Sequence, residues 1–181
     1  MITGSTIVSR RGALALGLTA VVALCGVSLP AQAAEIRVGD LGFEVPEDVV
    51  PADRADRLGH HWQWQGRTQD NQARPRGVVL ARADLATDDP VEVLGLLLAS
   101  TAAGLLPDLR LSGRRSRTPP GGDEQTRVGI SYAITQDHRY GGELAICPRS
   151  GGTTGVVVAL TDGTLSTSFA TGILDSIRWR S

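Results

Sequence analysis

Apolar residues fall at alternate positions from Val128 through Ile130 and Tyr132 to Ile134, and at every third or fourth position from Val91 through Leu94, Leu97, Leu98 and Thr101 to Leu105. The first period is that of a half-buried strand and the second that of an amphipathic helix. Asp88 or Asp89 supplies the helix cap and Pro90 its first turn, while Gly104 and Pro107 mark its end. A hairpin is expected over Ile36–Val45, turning at Gly39-Asp40 and stopped by Pro46. Residues 46–58 read as polar and irregular. Further strands are expected over His60–Gln65, Gly77–Ala83, Leu109–Arg117, Arg127–Thr135, Tyr140–Cys147 and Gly155–Thr161. Residues 66–76 and Thr118–Gly122 read as turn-rich connections, and Asp137-His138 as a loop between two strands. Val156–Leu160 is apolar throughout and suits a central strand, set apart from its predecessor by Pro148 and Gly151-Gly152.

Leu165, Phe169, Ile173 and Ile177 step by four and predict a second helix, started by Asp162 or Thr164. Its Ser and Thr content makes it a poor helix former, so it must depend on packing. Ile177-Arg178-Trp179 then closes the chain as a short edge strand. About seven strands in antiparallel hairpins, with two one-sided helices set among them, predict an α+β domain: an antiparallel sheet flanked by helices.

The order of elements resembles a known family. The opening hairpin ends in Phe43-Glu44-Val45-Pro46, and a Pro-initiated helix and a strand meander follow. Val157-Val158-Ala159-Leu160-Thr161 runs into a helix with Phe169 and Ile173, and Asp175-Ser176-Ile177-Arg178 closes it. This resembles the PsbP-like α/β/α sandwich of secreted and lipid-anchored actinobacterial proteins of the LpqN type. The resemblance implies an exported accessory or binding subunit without shared catalytic residues.

The first 33 residues change the picture from domain to export. Arg10-Arg11 precede an apolar stretch from Gly12 to Leu29, and Ala31-Gln32-Ala33 follows. That order is a secretory signal, with a cut expected between Ala33 and Ala34 and a single domain over residues 34–181. Ser9-Arg10-Arg11-Gly12-Ala13-Leu14 matches a twin-arginine signal in part, since Ala13 stands where Phe is usual; the general export route fits equally. Leu24 before Cys25 makes a poor lipobox. The expectation is a protein of the cell envelope or extracellular space, with no stable membrane span once cut.

Composition then narrows the partners. The cut leaves 16 Arg against 19 Asp and Glu, a formal charge of −3, and the chain has no Lys. A weakly acidic domain is a poor nucleic-acid binder, because phosphate contacts need a concentrated basic surface. Cys147 is the one cysteine left after the cut and reads as a buried small hydrophobe in a strand.

Four groups of residues remain as candidate chemistry. His60, Trp62 and Trp64 share one strand face and His61 the other, so the string offers an aromatic platform for a sugar or apolar ligand, against packing of both Trp rings in the core. Arg115 and Arg117 share a strand face and are candidate contacts for an anion, against a solvated surface. His61 or His138 with a carboxylate would be the centre of a small extracytoplasmic enzyme, the alternative to a binding domain. Gly-x-Ser-x-Gly, His-Glu-x-x-His and paired Cys-x-x-Cys do not occur, and three His with one Cys argue against structural zinc; no cofactor or metal is expected. The identity of the envelope partner or ligand and the oligomeric state are not encoded in any motif.

Overall fold

The computed structural model describes residues 33–53, 62–69, 74–102, 108–135 and 138–180. Everything below lies within the unit spanning residues 31–181. In chain order the strands are β1 (Ala33–Val38), β2 (Leu41–Pro46), β3 (Val49–Pro51), β4 (Trp64–Thr68) and β5 (Gly77–Leu85). Helix α1 (Pro90–Ala102) follows, then β6 (Arg110–Arg117), β7 (Gln125–Thr135), β8 (His138–Arg149) and β9 (Thr153–Thr161). Helix α2 (Ser168–Asp175) and β10 (Arg178–Trp179) end the chain. Seven strands form one sheet in the order β3-β4-β5-β9-β8-β7-β6, with every neighbouring pair antiparallel, and β1-β2-β10 form a second, small sheet.

Side-chain alternation splits the large sheet into two faces. On one, Val78, Leu80, Val128, Ile130, Leu144, Ile146, Val156, Val158 and Leu160 pack with Val93 and Leu97 of α1. Tyr132 and Tyr140 stack on this face with ring centroids 5.8 Å apart. On the other, Val79, Ala81, Ala145, Cys147, Val157 and Ala159 pack with Leu41 and Phe43 of the hairpin and with Ile173, Leu174 and Ile177. The large sheet is therefore a middle layer, covered on one side by α1 and on the other by α2 and the small sheet. The α+β architecture expected from the sequence is the one observed.

Several elements follow directly from local chemistry. Asp89 caps α1, its Oδ1 accepting the Val91 N–H at 2.8 Å. Gly39 turns the first hairpin at φ 57°, in the left-handed region that glycine enters without strain. Trp179 and Arg178 pair with Leu41 and Gly42, so the expected closing strand forms on the β2 edge.

Other expectations need correction. The stretch 46–58 is not wholly irregular, because Val49–Pro51 forms β3 at the sheet edge. The strand expected over 60–65 is displaced to Trp64–Thr68. Strand β8 runs through Pro148 to Arg149. It tolerates proline there because β7 pairs with it only as far as Ile146, leaving one side of the strand without a ladder to fill. The Asp137-His138 loop is shorter than expected, with His138 opening β8 opposite Thr135. Helix α2 starts at Ser168, after Leu165. The Thr164 N–H and hydroxyl both donate to Asp162 Oδ1, and the Ser168 N–H donates to Ser166 Oγ. These local bonds hold the chain in turns where a helix would otherwise begin.

Candidate functional site

The hydrophobic cover on the α2 face stops short. Beneath α2 and the hairpin the sheet is apolar, but toward β7 and β6 the same face carries Gln125, Arg127, Gly129 and Ser131 on β7, and Arg139, Gly141 and Glu143 on β8. Two features result: a network of ion pairs under the end of α2, and an open trough beside its start.

The network is centred on Arg127, whose side chain is 1% exposed. Its Nε donates to Gln125 Oε1 at 2.7 Å and its Nη2 to Asp175 Oδ1 at 2.8 Å. Arg117 also holds Asp175, with Nε donating to Oδ1 at 2.9 Å and Nη2 to Oδ2 at 2.5 Å. Asp175 is the last residue of α2, where the helix dipole disfavours an anion; two guanidinium groups reverse that preference. The Arg117 hydrogen bonds hold the Asp175 carboxyl below the usual carboxylate range. Burial pushes the Arg127 guanidinium the other way, toward the neutral form, opposed by the charges of Asp175 and Glu143. Arg115 Nη2 donates to Glu143 Oε1, and Glu143 Oε2 lies 3.7 Å from Arg127 Nη1. Among the described residues, Arg127 Nη1 has no hydrogen-bond acceptor.

The trough, about 520 Å³ in volume, lies between β7–β8 and the segment leading into α2. Gly141 leaves it open, since a side chain there would meet nothing within 4 Å. Ser131, Ser166, Thr167 and Thr171 bring hydroxyls, and Arg139 and Glu143 stand at its wall. Arg139 is engaged with Asp108 and with Ser131 Oγ at 3.2 Å. A second cavity of about 300 Å³ lies across Glu143, under the β6 bulge at Gly113.

The residues singled out from the sequence are only partly brought together. Arg115 and Arg117 do share a face, but each is bound to a carboxylate, Glu143 and Asp175 respectively. Trp62 and Trp64 do not make one platform: Trp62 packs in the α1-side core and Trp64 in the α2-side core, edge-on to Phe43 at 5.6 Å. The reason is the bend at Gln63, which interrupts the alternation before β4 begins. His60 and His61 lie outside the described residues, as does the leader up to Gln32; Ala33 and Ala34 open β1. Cys147 is buried, and burial pushes its thiol up to about 12, so it stays protonated. Among the described residues no group of three His, Cys, Asp or Glu could hold a metal ion. No helix among them is long and apolar enough to cross a membrane.

Sequence reading missed Arg127, Asp175 and Glu143. A signal for Asp175 was present: an acid in the last turn of a helix needs a cation to offset the dipole.

No protein-family model matches the chain, and no curated protein sequence does. Among solved structures, the yeast (Saccharomyces cerevisiae) Ran-binding protein Mog1p is similar over 82% of this chain and 96% of its own, with a TM-score of 0.55 at 8% identity. The chain has a Mog1/PsbP-like fold. A crystallised protein of Bacteroides thetaiotaomicron is similar over 78% of this chain, with a TM-score of 0.50 at 10% identity. This chain matches 46% of that protein's length. Identities this low carry the fold and nothing finer.

Proposed function

We propose that this is an exported, non-catalytic binding or accessory domain of the bacterial cell envelope or extracellular space, from the secreted actinobacterial PsbP-like proteins of the LpqN type. Its ligand or partner docks in the trough beside α2. The observation that carries this reading is the chemistry of the trough. Hydroxyls and an open glycine backbone face the space, while the neighbouring charges are spent on one another: Arg139 on Asp108, Arg115 on Glu143, and Arg117 and Arg127 on Asp175. With Leu165 and Ala170 also lining the space, such a surface offers shape and apolar contact together with a few hydrogen bonds. The yeast neighbour of the same fold is by name a Ran-binding protein, which accords with a fold used for recognition.

Export is supported by Arg10-Arg11, the apolar stretch and Ala31-Gln32-Ala33. A cut before Ala34 would remove only the Ala33–Pro46 pair from the β1 ladder among the described residues.

The test is a comparison of two exported proteins, wild type and Gly141→Leu, each used to capture partners from the cell envelope. A Cβ at Gly141 meets nothing within 4 Å, and the rest of the Leu side chain extends into the trough; a thermal melt checks that the variant is folded. A partner held by the wild type and lost with the variant supports the reading. Equal capture by both, or an intact uncut chain in place of one starting at Ala34, contradicts it.

A further inference from the structure

We infer that the cavity under the β6 bulge is an oxyanion site in which Glu143 is the resident anion, exchanged for a ligand's phosphate, sulfate or carboxylate group. This site lies across Glu143 from the trough and stands independently of it.

The argument begins with Arg127. A guanidinium carries five N–H donors, and a buried one is costly unless they are matched. Here Nε and Nη2 are matched by Gln125 and Asp175, but Nη1 is not. Glu143 Oε2 lies 3.7 Å from Nη1 and supplies charge without a hydrogen bond. It falls short because its other oxygen is drawn to Arg115, which is 60% exposed. One carboxylate thus spans two guanidinium groups and satisfies only the outer one.

The cavity is built for something better placed. Arg127, Arg115 and Glu143 line it, with Ser112 and Gly113 at the bulge and Gly129 beneath. A side chain at Gly129 would strike the Ser112 hydroxyl and carbonyl, so glycine there keeps β6 and β7 close while leaving the space over β7 clear. Gly113 is the extra residue of the bulge, at φ 55°, and stands outside the ladder. Two guanidinium groups, of Arg115 and Arg127, stand on this face of the lining against one carboxylate. A volume of about 300 Å³ admits one oxyanion group with its immediate substituent. Swinging Arg115 and Glu143 outward opens the way to Arg127 Nη1, and both belong to an exposed pair that is weakly held. An incoming oxyanion then accepts from Nη1 and from Arg115 together, the paired donation that arginines give to phosphate and carboxylate.

The experiment is a titration of the purified chain with inorganic phosphate, followed by calorimetry and by the side-chain N–H resonances of Arg127. Vesicles containing phosphatidylglycerol form a parallel arm. The expected result is a shift of the Arg127 resonances on saturable binding. Arg115→Gln should weaken that binding by about tenfold, the loss of one charge-assisted hydrogen bond. Glu143→Gln should tighten it by several-fold, because a competing anion is removed. Phosphate binding without vesicle binding assigns a soluble ligand. Vesicle binding that Arg115→Gln abolishes assigns a lipid headgroup. Unmoved Arg127 resonances with both probes overturn the proposal. So does phosphate binding that neither substitution changes, which would be an adventitious ion only. Glu143→Gln is the critical variant, since a purely structural Glu143 would lower affinity or leave it unchanged on removal.

Discussion

The two faces of the large sheet solve different problems. The α1 face is closed mainly by apolar contact, from Leu80 through Tyr132 to Val93, with the Tyr140 hydroxyl donating to the Pro75 carbonyl. The α2 face is apolar only in its half beneath the hairpin and α2, then turns polar along β7 and β8. There α2 is held at its end by Arg117 and Arg127 gripping Asp175, while at its start Phe169 and Ala170 pack on the apolar half and Ser166, Thr167 and Thr171 border the trough. Stability and accessibility are thus separated on one surface: a short helix, weak by composition, is pinned at one end so that the other can border an open site. The comparison also assigns the residues their roles. Apolar alternation makes the scaffold, and polar residues at the same alternation on the far side make the site.

The largest effect should come from the pin. Asp175→Ala leaves the Arg127 charge buried beside Glu143 alone, and breaking a buried pair from one side costs about 3–5 kcal/mol. Urea denaturation should show this loss, whereas a loss under ~1 kcal/mol would make the pin no more than a surface ion pair. The same carboxyl sets an acid limit. Its folded pKa lies below the ordinary 3.8, so its stabilising contribution is complete above that value and fades as pH falls through the folded pKa. Asp175→Asn should be less stable than wild type at neutral pH, and the gap should close in acid. A gap that persists at low pH would mean that the carboxylate is not its source.

Next in size is a contrast between adjacent glycines on β8. Gly142 faces the α1 side, where a Cβ would run into the Ala159 carbonyl of the paired strand. Gly142→Ala should cost about 1–3 kcal/mol as overpacking. Gly141 faces the trough, and Gly141→Ala should change stability by no more than ~0.5 kcal/mol. Thermal melts of the two variants test the difference between the faces at neighbouring positions. Equal losses would mean that the trough is filled.

A smaller effect concerns Cys147, in the apolar half of the α2 face. Its thiol should resist iodoacetamide at pH 8 in the folded protein and react in denaturant. Rapid reaction in the native state would show that this half is not sealed.

The legible parts of the fold were those where local chemistry and burial agree. Asp89-Pro90 and the helical period marked α1, and Val128, Ile130 and Tyr132 marked β7; the stripe itself was rotated, since Val91 and Leu98 are exposed while Val93, outside that stripe, is buried. Where local bonds compete with periodicity, the reading slipped: Asp162 and Ser166 delay α2, and the bend at Gln63 sends Trp62 and Trp64 to opposite faces. The site itself was hidden for a physical reason. Alternation that puts Val128 and Ile130 in the core puts Arg127 on the other face, which a one-sided sheet would leave in solvent. Only the covering helix, arriving 48 residues later with Asp175, turns that position into a buried one. Arg115 and Arg117 were identified as a pair on one face, but the carboxylates that bind them come from distant strand and helix positions.

The central claim is that the polar half of the α2 face, and not the sheet's other side, is where this domain meets its partner. Amide hydrogen exchange of the exported protein, with and without a cell-envelope extract, tests it most directly. The account predicts added protection confined to Ser131, Gly141 and the segment from Asp162 to Thr171. Protection centred instead on the exposed Val91 and Leu98 of α1 would contradict it.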